Sequence, residues 1–387
     1  MNVSVGVLVA VHDHPSKAPL GGVFERMLMA HHDKRKRTGW IDAGFHAQTK
    51  AHSVMHQMMR LPDTVEQAIE EDAAGIPAHA LVKAAAELGR DYHHASAVRT
   101  ARIDSTAARI AYLVTRMPAI FQVNQLVDEQ LADLCPGIDI RSVLDLGCGP
   151  GTATLAAQQL FGSLRAGTLV DRDPEWLEVS RRLIAAADEQ LATASRFVTS
   201  DLHHRDDLDE HDLVIISYML GEMAPPLAKI LVDRAWALTR HALVIVEPGT
   251  PRGFAAIIAA REALIATQGS IVAPCTHAGQ CPLAAADWCH FDTRVERTRR
   301  HQRVKAGALP YEIEKFSYVI AAKEQPTMPV RAARIIRHPL KKSGHVILDL
   351  CTSEGAAQRV VISRRNKESY RQARAAKWGD IWTPVQD

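Results

Sequence analysis

Aromatic residues make up only 5% of the 387-residue chain, so its core must be built from Ala, Leu, Ile and Val. No window carries the roughly 20 consecutive apolar residues that a membrane-spanning helix needs, which excludes such a segment. Residues 3–11 are apolar, but no basic stretch precedes them and no clear cleavage site follows, so no signal peptide is read. Six cysteines are too few for a disulfide scaffold at this length. A reducing compartment with metal-bound thiolates is expected instead: the cytoplasm, or the mitochondrion in a eukaryotic source. Internal repeats are absent, as is any C-x2-C knuckle of the zinc-ribbon kind. With 47% hydrophobic and 23% charged residues, the composition is that of a soluble globular protein of two or three domains.

The formal net charge of +2 hides an asymmetry. Residues 291–387 hold 20 Lys+Arg against 10 Asp+Glu, leaving 26 against 34 in residues 1–290. A basic end on an acidic body suits a polyanionic partner, although a charge run is as often a solvated face. Residues 1–60 are rich in histidine and include Lys34-Arg35-Lys36-Arg37. Without sustained periodicity they read as a poorly ordered extension rather than a binding arm or metal tract. From 61 to 137 apolar residues recur at helical intervals, with Pro118 expected to end or kink a helix.

From 138 to 325 the pattern becomes α/β. Short apolar runs at 142–146, 168–171, 196–200, 212–218 and 242–247 alternate with helical segments, which predicts a parallel sheet covered on both faces. Later strands are expected at 315–321, 345–350 and 358–363. Gly147, Gly149 and Gly151 lie between the first strand and its helix, where glycine lets backbone approach a ligand facing the helix N-terminus. The spacing is G-x-G-x-G, not the G-x-G-x-x-G of dinucleotide sites. With Asp145 two residues ahead, this is the pattern of class I S-adenosylmethionine (SAM) methyltransferases. Asp171, ending the second strand, stands where a carboxylate meets ribose hydroxyls, and Asp201 where an acid meets the adenine amino group. Helix capping is the alternative role for these acids. After the fourth strand, Ser217-Tyr218-Met219-Leu220-Gly221-Glu222 lacks the Asn/Asp-Pro-Pro-Tyr element of amino-group methyltransferases. It also lacks a nucleophilic cysteine pair. Tyr218 and Glu222 are the catalytic candidates, with core and surface roles as alternatives.

Cys275, Cys281 and Cys289 lie in the loop 273–291, and Cys351 follows a predicted strand. Five residues separate the first two and seven the next pair. Four soft ligands at wide, irregular spacing suit zinc or an iron–sulfur cluster wrapped by a long loop. His277 and His290 are possible zinc ligands or hydrogen-bonding neighbours.

The runs RMPAIF (116–121), VLDLGCGPGTA (143–153), VIISYMLGEM (214–223), VIVEPGTPRGF (244–254), APCTHAGQCPL (273–283), DWCHF (287–291), EKFSYV (314–319), GHVILDLC (344–351) and ARAAKWGDIW (373–382) follow one another in this order. In them the chain resembles the Rsm-type family of methyltransferase-like small-ribosomal-subunit proteins, from about residue 61 to the C-terminus. The resemblance implies a Rossmann-like methyltransferase fold that assists assembly of the small ribosomal subunit by contacting its RNA. It also implies a 4Fe–4S cluster on Cys275, Cys281, Cys289 and Cys351, the last supplied by a basic C-terminal segment, 326–387. Arg294, Arg297, Arg299, Arg300, Arg303, Lys341, Lys342, Arg364 and Arg365 are then expected to hold phosphates, the protein acting as a monomer away from membranes. A non-catalytic scaffold and a small-molecule methyltransferase with structural zinc are the competing readings.

Overall fold

The runs SVLDL, LVIIS and ALVIVE have no polar alternation, so both faces of their strands must be covered. A computed structural model describes residues 60–93, 103–202, 207–283, 287–305, 307–329 and 331–383. Strands β1 (Ser142–Leu146), β2 (Ala166–Asp171), β3 (Arg196–Thr199), β4 (His211–Ser217) and β5 (Thr239–Pro248) form a parallel sheet in the order β3-β2-β1-β4-β5. Three strands absent from the parallel pattern complete it: β6 (Ser270–Ala273), β7 (Phe291–Glu296) and β8 (Tyr311–Ala322). β8 runs antiparallel to β5, and β6 and β7 pair antiparallel with β8. This reversed edge is the Rossmann-like sheet of class I methyltransferases.

The helices are α1 (Asp63–Ala74), α2 (Ala78–His93), α3 (Thr106–Thr115), α4 (Met117–Leu134), α5 (Thr152–Leu160), α6 (Pro174–Ala187), α7 (Glu189–Ala194), α8 (Pro225–Ala237), α9 (Pro251–Ala266), α10 (Arg299–Val304) and α11 (Lys367–Ala375). Strand periodicity of two sends neighbours to opposite faces. Val143, Leu213, Ile215, Val244 and Val246 meet Leu113, Met117, Phe121 and Val127 of α3 and α4 on one side. Leu144, Val214, Ile216, Leu243 and Ile245 meet Leu231, Trp236, Ile257 and Leu264 of α8 and α9 on the other. Ser105 caps α3 by accepting from Ala108 N at 3.1 Å. The break expected at Pro118 is present: α3 ends at Thr115, and the proline takes the first turn of α4, where a missing N–H costs nothing. The extension read at 1–60 lies outside the described residues, Arg60 apart.

β8 organises everything beyond β5. Its residues from Phe316 to Ala322 pair with β5 on one edge. On the other edge β6 takes Ile320 to Ala322 and β7 takes Tyr311 to Phe316. The chain between β6 and β7, which carries three of the cysteines, therefore bulges out at the short gap between these partners. A second sheet follows: β9 (Ala333–Ile335), β10 (Leu340–Lys341), β11 (His345–Cys351), β12 (Ala357–Ser363) and β13 (Ile381–Trp382). β12 pairs with the full length of β11, β10 and β9 share its other edge, and β13 closes on β9. Ala373 of α11 is buried in the small core of this sheet with Val346, Leu348 and Trp382.

Candidate functional site: a glycine-lined cleft and a cysteine cavity

The loop after β1 is fastened by its own backbone. Gly147 N and Cys148 N donate to Val170 O at 2.8 and 3.1 Å, and Gly149 N donates to Asp171 Oδ2 at 2.9 Å. Gly147 and Gly149 have φ of 75° and 51°, in the left-handed region that favours glycine. Their surroundings differ. A methyl group at Gly147 would run into Met219 Sδ, whereas one at Gly149 would meet nothing within 4 Å. Gly149 thus opens onto a cleft of about 890 Å³ at the carboxyl ends of the strands. Gly147, Asp171, Asp201, Tyr218 and Glu222 line the same cleft, with Tyr112 and Trp176 forming an aromatic wall.

Two of the expected cofactor residues lie elsewhere. Asp145 is buried beneath the loop and accepts from Thr154 Oγ1 at 2.8 Å and Thr154 N at 3.3 Å, which ties β1 to α5. Burial pushes its carboxyl up to about 7. Gly151 lets α6 approach, since a side chain there would lie 2.5 Å from Ser180 Oγ. Asp171 itself accepts from two amides, Gly149 N and Asp173 N, both at 2.9 Å, while burial raises its pKa.

Tyr218 holds a left-handed φ of 57°, a strained state for a bulky residue. Its hydroxyl donates to Glu314 Oε1 at 3.1 Å, and Arg116 clasps the same carboxylate through both terminal nitrogens at 3.2 and 3.1 Å. Burial also raises the Glu222 carboxyl, with Arg172 and Arg252 opposing. The residue that shapes this turn, Glu247, was visible in the sequence only as the acid ending an apolar strand. It is 1% exposed and accepts from Met219 N, Leu220 N and Gly221 N at 2.9, 2.6 and 3.1 Å. Its desolvated carboxyl is pushed up to about 8.

All four candidate cysteines line one cavity between the two sheets, together with Phe254, Ile257, Arg261, Pro274 and Tyr318. None is in a disulfide. Burial raises the Cys275 thiol, carries Cys289 well up and pushes Cys351 up to about 12, with neighbouring cysteines adding to all three shifts. Arg261 opposes the shifts at Cys275 and Cys351, as does Arg334. These two guanidiniums are 3% and 1% exposed. Arg261 Nη2 donates to His277 O and Gly279 O at 2.7 and 2.8 Å. Arg334 donates to Pro274 O through Nε and to Gly379 O through Nη1, both at 2.7 Å, and to Gln130 Oε1 at 2.8 Å. Ser317 Oγ holds Cys289 O at 2.8 Å across the gap in the β8 edge, and Trp288 Nε1 donates to Gly249 O at 3.0 Å. His277 Nε2 lies 3.4 Å from Cys351 Sγ, whereas His290 packs between Trp288 and Trp378, away from the cavity. Among the described residues, no three His, Cys, Asp or Glu side chains converge closely enough to chelate a single metal ion.

Several phosphate-holding candidates are engaged within the protein. Arg297 pairs with Glu312 at 2.9 Å, Arg300 with Glu70 at 2.5 Å, and Arg294 stacks over the Tyr311 ring at 3.7 Å.

The sequence is similar to several known proteins. Over 349 residues, 86% of this chain and 72% of the relative, the sequence is 27% identical to the human protein named ribosome assembly protein METTL17, mitochondrial. It is 20% identical to ribosome assembly protein RSM22, mitochondrial, of Saccharomyces cerevisiae, with 62% of this chain and 61% of the relative covered. The fission yeast Rsm22-cox11 tandem protein 1, mitochondrial, is 28% identical, with 70% of this chain and only 43% of the relative covered. Among solved structures, the magnesium protoporphyrin IX methyltransferase of Synechocystis PCC 6803 with bound SAM gives a TM-score of 0.35 at 16% identity, covering 61% of this chain and 96% of that one. An O-methyltransferase family protein from Burkholderia thailandensis gives 0.38 at 16% identity, covering 62% and 69%. Residues 106–383 match the family model described as mitochondrial small ribosomal subunit Rsm22, and the chain therefore belongs to the Rsm22 family.

Proposed function

We propose that this protein is a SAM-dependent methyltransferase-like factor that acts on the small ribosomal subunit and its RNA during assembly, and that its four-cysteine cavity holds a 4Fe–4S cluster. In a eukaryotic source its place would be the mitochondrion, as the names of its relatives suggest. The observation that carries the cofactor reading is the open side of Gly149, a cradle that any side chain would fill, flanked by two carboxylates. Loop amides would meet the methionine end, Asp171 the ribose and Asp201 the adenine. SAM bound there would supply an electrophilic methyl group. The chain's part would be to hold the acceptor in line and exclude water.

The donor set fits a cluster. Four free thiols face one cavity beside two buried guanidiniums, and thiols raised by burial need a positive centre to ionise. Tetrahedral zinc at about 2.3 Å from each sulfur would draw the four within about 4 Å of one another. A cluster spans a wider cage. Bound there, it would fasten the loop between β6 and β7 to the end of β11.

A scaffold without turnover is the second reading. It is favoured by Tyr218, which lines the cleft with its hydroxyl already donating to Glu314, leaving Glu222 as the candidate base. One assay separates the two: SAM with a labelled methyl group, incubated with immature small subunits. Label in the RNA that disappears in Glu222→Gln supports an enzyme. SAM binding by calorimetry, lost in Gly149→Arg, with no label transferred supports a scaffold. Absence of SAM binding to the intact protein would reject the cofactor reading altogether.

A further inference from the structure

The turn between β10 and β11 is held in a fixed shape. Lys342 N donates to His345 O at 2.9 Å, and Tyr370 Oη of α11 donates to Lys342 O and Ser343 O at 3.3 and 3.2 Å. The end of β12 lies alongside, with His345 opposite Ser363 and Arg364 N donating to Gly344 O at 2.9 Å. Arg365 N donates to Ser363 Oγ at 3.2 Å, and Asn366 then caps α11 by accepting from Ser369 N at 3.1 Å. Lys341, Lys342, Arg364, Arg365 and Lys367 are thereby gathered at one end of the second sheet, all exposed. Among the described residues none of these five side chains has an acidic partner. The next acid along the chain, Glu368, pairs with Arg371, and the acid at mid-strand, Asp349, pairs with Arg359.

The engaged cations lie elsewhere: Arg297 and Lys305 on Glu312, Arg300 on Glu70, Arg337 on Asp287. A guanidinium already satisfied by a half-buried carboxylate has little to offer a phosphate. Free ones, mounted on a braced turn, can meet one without first breaking an ion pair or ordering the backbone. β10 and β12 flank β11 on its two edges, so Lys341 and Lys342 on one side and Arg364 and Arg365 on the other meet at the same end of that strand.

We propose that the β10–β11 turn and the end of β12 are the contact surface for a ribonucleic acid backbone, read by charge and not by base sequence. This rests on the RNA reading above and narrows it, removing Arg294, Arg297 and Arg300 from the contact set. The experiment uses the full chain and a fluorescein-labelled transcript of small-subunit ribosomal RNA, with affinity measured from 50 to 300 mM salt. The variant K341Q/K342Q/R364Q/R365Q, its fold checked by circular dichroism and thermal midpoint, should bind at least about tenfold more weakly, with the log–log salt slope shallower by about 3. The pair R299Q/R303Q on α10 should change the slope by less than about 1. A quadruple variant that binds like the parent, or a larger loss in the α10 pair, overturns the proposal and leaves RNA binding standing. A parent chain that does not bind the transcript removes the RNA reading itself. A quadruple variant that loses binding only to phosphatidylserine vesicles while retaining RNA assigns the surface to a membrane instead.

Discussion

Gly147 and Gly149 illustrate how one residue type serves two ends. At Gly147 the constraint is internal, so Gly147→Ala displaces Met219 and should cost about 2 kcal/mol of stability, combining left-handed strain with overpacking. At Gly149 the space is open, so Gly149→Ala should cost only about 1 kcal/mol yet weaken SAM binding. Urea denaturation and calorimetry on the two variants separate the effects. Glu247 makes a pH prediction. Its folded-state carboxyl, at about 8, lies above the ordinary 4.5. The folded state therefore binds the proton more tightly, and this contribution is full below about pH 4.5 and fades as pH rises to about 8. Asp145, at about 7, acts in the same direction. Glu247→Gln should flatten stability between pH 5 and 8 in a denaturant series; an unchanged slope would show that the carboxyl ionises freely in the folded chain. Neither role could be read from the residues alone. Asp145 has the position of a ligand residue in the sequence, but whether it faces the cleft or Thr154 depends on the pleat of β1. Glu247 ends an apolar run, and that isolated acid was the only signal it gave.

Among the elements, β1, β2, β4 and β5 were legible because burial on both faces forces continuous apolar runs, while β3 at the sheet edge was legible only as a short run between helices. β6 and β7 were not. SIVA is four residues long, and FDTRVE alternates charges because one side of that strand is exposed. The two- and three-residue strands of the second sheet carry no pattern at all and exist through pairing, β9 and β10 on β11 and β13 on β9. The cysteine loop depends on a residue far from it in sequence. Arg334 on β9 bonds Pro274 O, Gln130 Oε1 and Gly379 O. Arg334→Met removes three buried hydrogen bonds, leaves their acceptors dry and should cost about 3 kcal/mol. If the cavity holds a cluster, iron retained after anaerobic purification should fall with it, as iron analysis beside a denaturation curve would reveal. A variant with parental stability and full iron would show that the loop holds its own shape.

For the molecule as a whole, the cysteines are the seam between two sheets that the sequence presents as separate stretches. Cys275, Cys281 and Cys289 leave the edge of the first, and Cys351 ends the longest strand pairing of the second. The grouping of all four was legible from the residues; the thiol count left zinc and a cluster open, and family resemblance inclined the reading to the cluster. About four irons and four sulfides per chain are expected of oxygen-free protein, with both lost in Cys281→Ser. One zinc and no sulfide would reject the cluster. In Cys351→Ser, hydrogen exchange should rise in β9 and β11 and stay unchanged in β1, β4 and β5, since the parallel sheet has its own two-sided core. Uniform acceleration across both sheets would mean that they unfold as one unit.

Arg334 also fixes an order of events in time. Its side chain reaches back to Gln130 and forward to Gly379, while β9 must wait for β13 at Ile381–Trp382 to cover its far edge. The parallel sheet can form while the chain is still being made, since domains fold as they emerge. The cysteine cavity comes later. Its last brace is synthesised about 90 residues after the third cysteine, so the three thiols wait through that interval, and whatever fills the cavity is enclosed only after Gly379 has been made.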